Sequence, residues 1–309
     1  MNINEAELLL RNHNIIVNDI NSLTGSFNKD IFLINNTYVL RPSLVDMQKE
    51  QQNFKRIEHL LNVPKIEYMG KFKTNEDYYY TILNMLPGID FIDAVSDMTL
   101  QQQKELGASI SNFLNILHGI TNTEYDIGHY LPLIPNYSGS WKSGHKKYSD
   151  YLFERTEKMQ LNVNSCHIIT QAFQYLNSYA DVLDYQSGPV LLHNDFHPKN
   201  IVVNNGMFSG VIDWECSQFG ESDFEMCHFI HWCLYPPKQD VDFKPFLRSL
   251  FNASPQCVMV PGIARRLTIY QIEHELIQLI WSNGKSEVDR TQKIIKWLAG
   301  SVDDLLNSL

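Results

Sequence analysis

Pro87-Gly88 divides this chain into two stretches of different periodicity. Before it, short runs rich in aromatic and β-branched residues read as strands: Ile15–Leu23, Ile31–Asn35, Tyr38–Arg41, Lys65–Lys71 and Tyr78–Asn84. Asn35-Asn36 between two of these runs suits a tight hairpin turn. An opening helix over about 4–13 and another over about 46–61 complete a small α+β unit. After the break the apolar spacing becomes helical. Thr99 and Gln102 form a capping box ahead of Leu106, Ile110, Phe113, Leu114 and Leu117, with Gly119 as the stop. Further helices are expected over 145–159, 165–184 and onward to the C-terminus. One strand cluster interrupts them: Val190–Leu192, Ile201–Val203 and Phe208–Ile212.

A chain of 309 residues exceeds one comfortable core, so two lobes are expected. Their bounds are placed at 1–85 and 86–309, with a hinge at about 84–88. The chain is 44% hydrophobic and 19% charged, a globular balance. Its net charge of -10 disfavours nucleic acid, whose phosphates require Lys and Arg. The five Cys (Cys166, Cys216, Cys227, Cys233, Cys257) form no C-x-x-C, so reduced thiols and a cytoplasmic location are expected. The first residues, with two Glu and a short apolar run, do not read as a signal peptide. No apolar run is long enough to cross a membrane, so no membrane partner is expected. A monomer or homodimer fits equally.

The chemistry lies in the strand cluster, which reads LLHNDFHPKNIVVNNGMFSGVIDWE. It holds His193-x-Asp195-x-x-x-x-Asn200, and Asp213 after an apolar run. Phosphoryl transfer needs one group to orient a hydroxyl and take its proton, and oxygen ligands for Mg2+ beside the phosphates. Asp195 suits the first task; Asn200 and Asp213 suit the second, since Mg2+ prefers a few hard oxygen donors. A hairpin over 201–212 would return Asp213 to the neighbourhood of Asn200.

His-x-Asp-x-His-Pro-x-Asn followed by Ile-Asp-Trp-Glu resembles the aminoglycoside phosphotransferase and choline kinase superfamily. That resemblance implies a two-lobed, protein-kinase-like α+β fold, with an antiparallel-sheet N-lobe and a mainly helical C-lobe. It implies a small-molecule kinase using ATP or GTP with Mg2+. It casts Arg41 as the cation at the phosphates and Glu50 as its partner, Ser26 and Phe27 as the turn over the phosphates, and Asn84 and Leu86 as the backbone contacts to the base. Trp214-Glu215 in place of Phe-Gly, Asn194 in place of the Arg of H-R-D, and the missing A-P-E favour a small acceptor over a protein.

The acceptor is expected to be a small cationic molecule, first an aminoglycoside-type antibiotic, alternatively choline or ethanolamine. Its candidate contacts are Asp150, Glu154, Glu215, Trp232, Tyr270 and Glu273. A nucleotide-binding pseudokinase is the reading from another class. The blander assignments are turn residues for Asp195, Asn200 and Asp213, and a surface ion pair for Arg41 and Glu50. His193, Asp195 and His197 could also be zinc ligands, as could His228 and His231 at i, i+3. His118 reads as a satisfied interior histidine. Glu225 has two readings: a capping box with Ser222 for the next helix, which is favoured, or the acidic residue that packs under the catalytic loop.

Overall fold

The computed structural model describes the chain except residues 24–30, 45, 74–76, 126–138, 237–240, 254 and 309. Ser26 and Phe27 therefore lie outside the described residues. The described chain forms two compact units, one of Met1–Phe91 with Asn200–Glu215, the other of Ile92–Lys199 with Cys216–Leu309. The sequence reading divides the chain near residue 85 and leaves the hairpin with the helical part. The hairpin instead folds with the first unit. The strand Ile89–Asp90, just past Gly88, pairs antiparallel with Ile201–Asn204 and ties the two segments together.

The first unit is built on five antiparallel strands: β1 (Ile20–Leu23), β2 (Ile31–Ile34), β3 (Tyr38–Ser43), β4 (Ile66–Lys73) and β5 (Asp77–Asn84). Their order is β1-β2-β3-β5-β4. Asn35 and Asn36 both take left-handed backbone (φ 52 and 50), which Asn tolerates at a tight turn between β2 and β3. Alternation then sorts the side chains by face. Phe32, Ile34, Leu40, Tyr80 and Ile82 form one buried cluster with Ala6, Leu9 and Leu10 of the helix Ile3–Asn12. Burying a side chain such as Leu10 contributes about 1.5–3 kcal/mol. That helix is closed by an Asn2–Glu5 capping box. Because Leu40 faces the helix, its neighbour Arg41 faces the other way.

The hairpin of Ile201–Asn204 and Met207–Val211 turns at Asn205-Gly206, both left-handed (φ 51 and 78). Gly88 (φ 125) passes so close beneath it that a Cβ would sit 2.3 Å from the Val203 carbonyl oxygen. The backbone approach, not flexibility, demands glycine at this break.

The second unit is mainly helical. The helix Leu100–Leu117 begins at Thr99 with the expected capping box and ends just before His118 and Gly119. Helices Trp141–Glu157, Val163–Tyr179, Met226–Leu234 and Ile263–Trp281 follow, with further helices around them. The strand Val190–Leu192 pairs antiparallel with Gln218–Gly220, and these two strands flank the loop that carries His193 to Lys199. Among the described residues no helix is long and apolar enough to cross a membrane.

Candidate active site

The loop over residues 193–199 is held by one apolar and several polar anchors. Phe196 is buried, stacked between Phe113 (6.3 Å) and Phe229 (5.4 Å). This pins the middle of the loop and fixes the directions of Asp195 and His197 on either side. Asn194 takes left-handed backbone (φ 66), which an Asn accommodates better than an Arg would. Its side-chain oxygen accepts from Gln218 Nε2 at 3.1 Å.

Glu225 supplies the main polar anchor. Its carboxylate accepts from the backbone N–H of His193 (2.7 Å) and of Asn194 (2.9 Å). The capping-box reading is thus corrected. Ser222–Glu225 form a 3-10 turn, and the helix Met226–Leu234 has no side-chain cap among the described residues. A carboxylate bridging two buried N–H groups is worth more than a solvent-exposed cap. His118 is buried, yet both its ring nitrogens lack hydrogen-bond partners among the described residues, with Nε2 3.6 Å from Glu225 Oε2. The expectation of a satisfied histidine there is also corrected. Glu225→Ala should destabilise the protein by about 2–4 kcal/mol, because two buried donors lose a charged acceptor. Urea unfolding measures the loss, and Glu225→Asp should lose less.

Asp195 is flanked by two imidazoles. His228 Nδ1 lies 3.0 Å from Asp195 Oδ1, and His197 Nε2 lies 3.5 Å from the same oxygen. His197 Nδ1 accepts from the Lys199 N–H (3.2 Å), so its proton sits on Nε2, toward Asp195. Burial alone would raise the Asp195 pKa. The hydrogen bonds and charge of His197 and His228 outweigh it and hold the carboxyl far below its usual range. Burial pushes His197 down, opposed by Asp195.

In the first unit, Arg41 meets three carboxylates. Its Nη1 donates to Glu50 at 2.6 Å, and its Nη2 donates to Asp213 at 3.1 Å and Glu215 at 3.0 Å. The Arg41 side chain is buried, so the surface-pair reading does not describe it. Burial lowers the pKa of Arg41, but Glu50, Asp213 and Glu215 outweigh it and raise the net value. Burial raises that of Glu50, with Arg41 opposing. At the hairpin's open end the Ile212 N–H donates to the Asn200 carbonyl (2.9 Å), which brings the backbone of Asn200 close to that of Ile212-Asp213. Asp213 itself is left-handed (φ 67), an uncommon state for a residue other than glycine, of the kind found at functional sites. The two oxygen donors match what Mg2+ takes.

The remaining expected contacts fall as follows. The Asn84 N–H donates to the Lys65 carbonyl (3.0 Å) and the Met85 N–H to Thr37 (2.7 Å). The Leu86 N–H has no backbone partner among the described residues. Asp150 and Glu154 are exposed on the helix Trp141–Glu157, and Asp150 pairs with Lys146. Trp232 stacks on His197 at 4.3 Å. Glu215 sits with Arg41. Tyr270 and Glu273 are 1% and 2% exposed, bonded to Trp141 and His145, so for these two the acceptor-contact reading gives way to a core role. Trp141 and Tyr148 are buried as well. Nothing in the sequence near His228 assigns it to Asp195. The signal was the spacing of His228 and Trp232, one helical turn apart, which aims both at the loop.

Residues 28–246 match the phosphotransferase enzyme family, and the chain belongs to that family. Among curated relatives, hygromycin-B 4-O-kinase of Escherichia coli is 28% identical over 118 residues, 38% of this chain. That match spans 31% of the relative's length, about a third. Among solved structures, the chain resembles aminoglycoside phosphotransferase APH(4)-Ia, with a TM-score of 0.68 and 17% identity, covering 96% of this chain and 99% of that one. The streptomycin-ATP-APH(2")-IIa ternary complex matches with a TM-score of 0.67 and 19% identity, covering 96% of each. The GDP complex of aminoglycoside 2'-phosphotransferase-IIIa matches with a TM-score of 0.67 and 16% identity, covering all of both chains. The fold is the α+β, protein-kinase-like fold of these small-molecule kinases.

Proposed function

We propose that this protein transfers the γ-phosphoryl group of ATP or GTP to a hydroxyl of a small cationic molecule of the aminoglycoside type. Two observations carry the reading, one in each unit: Asp195 is fixed by its two histidines, and the hairpin draws the backbones of Asn200 and Ile212-Asp213 together. Asp195 orients the acceptor hydroxyl and receives its proton as the new oxygen–phosphorus bond forms. Asn200 and Asp213 would hold Mg2+, which, when bound, offsets charge on the phosphates. Arg41, braced by Glu50, offers its guanidinium to the phosphate oxygens. Leu86 would present its N–H to the base.

The aminoglycoside class rests on the relatives' names: hygromycin-B 4-O-kinase and the aminoglycoside phosphotransferases. The protein's acidity suits a polycation. A choline-type acceptor would call for an aromatic box, and the core takes Trp141, Tyr148 and Tyr270 out of reach. The deciding experiment is incubation with Mg2+ and ATP or GTP against hygromycin B, streptomycin, gentamicin, choline and ethanolamine, read by mass spectrometry. A phosphorylated aminoglycoside is the expected product. Product from choline or ethanolamine alone overturns the acceptor class, and no product from any acceptor overturns the activity.

A further inference from the structure

We propose that His228 is a positioning residue for the reaction: its Nδ1–H holds the Asp195 carboxylate in place and sets the pH at which Asp195 can work. This rests on the kinase reading above.

His228 and Trp232 of the helix Met226–Leu234, one turn apart, reach successive parts of the catalytic loop. His228 meets Asp195 Oδ1 at 3.0 Å, and Trp232 stacks on His197 with rings 4.3 Å apart. The second imidazole at Asp195 is thus braced by the same helix that supplies the first. A carboxylate only accepts, so the nitrogen of His228 facing it carries a proton.

Behind His228 lies a second layer. Its ring is 5.0 Å from that of His274 on the helix Ile263–Trp281, and His274 is 4.6 Å from that of His231. His231 in turn sits 3.3 Å from Gln271 Oε1 and 3.3 Å from Glu275 Oε1. Burial pushes His231 down to about 3, helped by Lys293, and pushes His274 well below the ordinary histidine range. These two rings stay neutral at physiological pH and back the His228 ring without adding charge.

Around the Asp195–His228 pair the titratable groups are His193 and His197 from the loop, His231 from the same helix and His274 from Ile263–Trp281. Arg290 and Lys293, from the helix Glu287–Leu298, act on His231 and His274. His197 lies farther from Asp195 Oδ1 than His228 does, at 3.5 against 3.0 Å. Of the two imidazoles, His228 therefore makes the shorter contact.

The test compares His228→Phe, which keeps a ring but removes the donor, with His228→Asn, whose side-chain N–H reaches about as far as Nδ1. The acid limb of kcat should move up by about one pH unit or more in His228→Phe. At neutral pH kcat should fall by about 5–50-fold with nucleotide KM held within about twofold. His228→Asn should restore most of both. The same carboxyl can be followed without turnover, by NMR of protein labelled at the aspartate side-chain carboxyl carbon, assigned with Asp195→Asn. Its titration should rise in His228→Phe and return toward the wild-type position in His228→Asn. If His228→Phe does not fold, His228→Leu takes its place. A carboxyl titration unmoved by loss of the donor overturns the proposal. If wild-type protein phosphorylates no acceptor, the kinase reading falls, and the NMR titration alone still decides whether His228 governs Asp195.

Discussion

Asp195→Asn should lower kcat by about 100- to 10,000-fold, the span typical for loss of a positioned general base. The fold and the affinity for nucleotide should survive. Asn keeps the shape of Asp, and its amide oxygen can still accept from His228 Nδ1. What disappears is the negative charge and the ability to take a proton. The wild-type carboxyl is held far below its usual range by His197 and His228, which makes it a weak base in the resting protein. That is compatible with phosphoryl transfer, whose loose transition state calls on the attacking hydroxyl late, so orientation contributes more than basicity. Single-turnover phosphorylation of the acceptor found by the substrate panel, with nucleotide binding by calorimetry, separates the two effects. A loss of less than tenfold in the transfer step would remove Asp195 from the role of base.

The catalytic block was legible because its chemistry is local. Asn200 and Asp213 are joined by one hairpin, and Asn205-Gly206 announces its turn, so sequence spacing becomes spatial proximity. Arg41 was legible for a related reason. Alternation along β3 places it opposite Leu40, and the next helix brings Glu50 to the same face. The contacts that were misread cross longer stretches of chain. Ser222-x-x-Glu225 satisfies a local pattern for a helix start, but the carboxylate turns to His193 and Asn194 instead. His228 was visible as a helical histidine, yet nothing local says that Asp195 lies opposite. Tyr270 and Glu273 looked like acceptor contacts because aromatic and acidic residues suit a cation. Burial is a property of packed helices, and a stripe of such residues reads the same whether it meets a ligand or the core. The hairpin's attachment to the first unit depends on the pairing of Ile89–Asp90 with Val202 and Val203, a non-local match between a very short strand and one far along the chain.

Arg266→Met is expected to destabilise the protein by about 3–5 kcal/mol, the cost of leaving a buried carboxylate without its partner. Arg266 is 0% exposed on the helix Ile263–Trp281. Its Nε and Nη2 donate to the two oxygens of Asp223 at 2.6 and 2.8 Å, and its Nη1 donates to the carbonyls of Val182 and Tyr185 at 2.9 and 3.0 Å. The planar fork thus joins three segments: the helix, the turn that carries Asp223, and the chain near 182–185. Burial would lower the Arg266 pKa, but Asp223 outweighs it, so the guanidinium stays charged. Met fills much the same volume and makes none of these bonds. Asp223, itself fully buried, then keeps a charge with no cation, while Glu221 beside it stays bonded to Tyr125, Ser187 and Gly188. The double variant Arg266→Met with Asp223→Leu removes both charges, and it should be less destabilised than the sum of the single variants, since apolar replacement of a whole buried pair is often nearly neutral. Arg266→Lys should fall between wild type and Met, because one ammonium cannot reproduce the fork on Asp223 and also reach both carbonyls. Urea unfolding followed by tryptophan fluorescence is suited to the comparison, since Trp141 packs on Phe224, the residue next to Asp223. Strict additivity of the two single losses would mean that Arg266 and Asp223 stabilise the fold independently, and that the carbonyl contacts rather than the ion pair account for the cost.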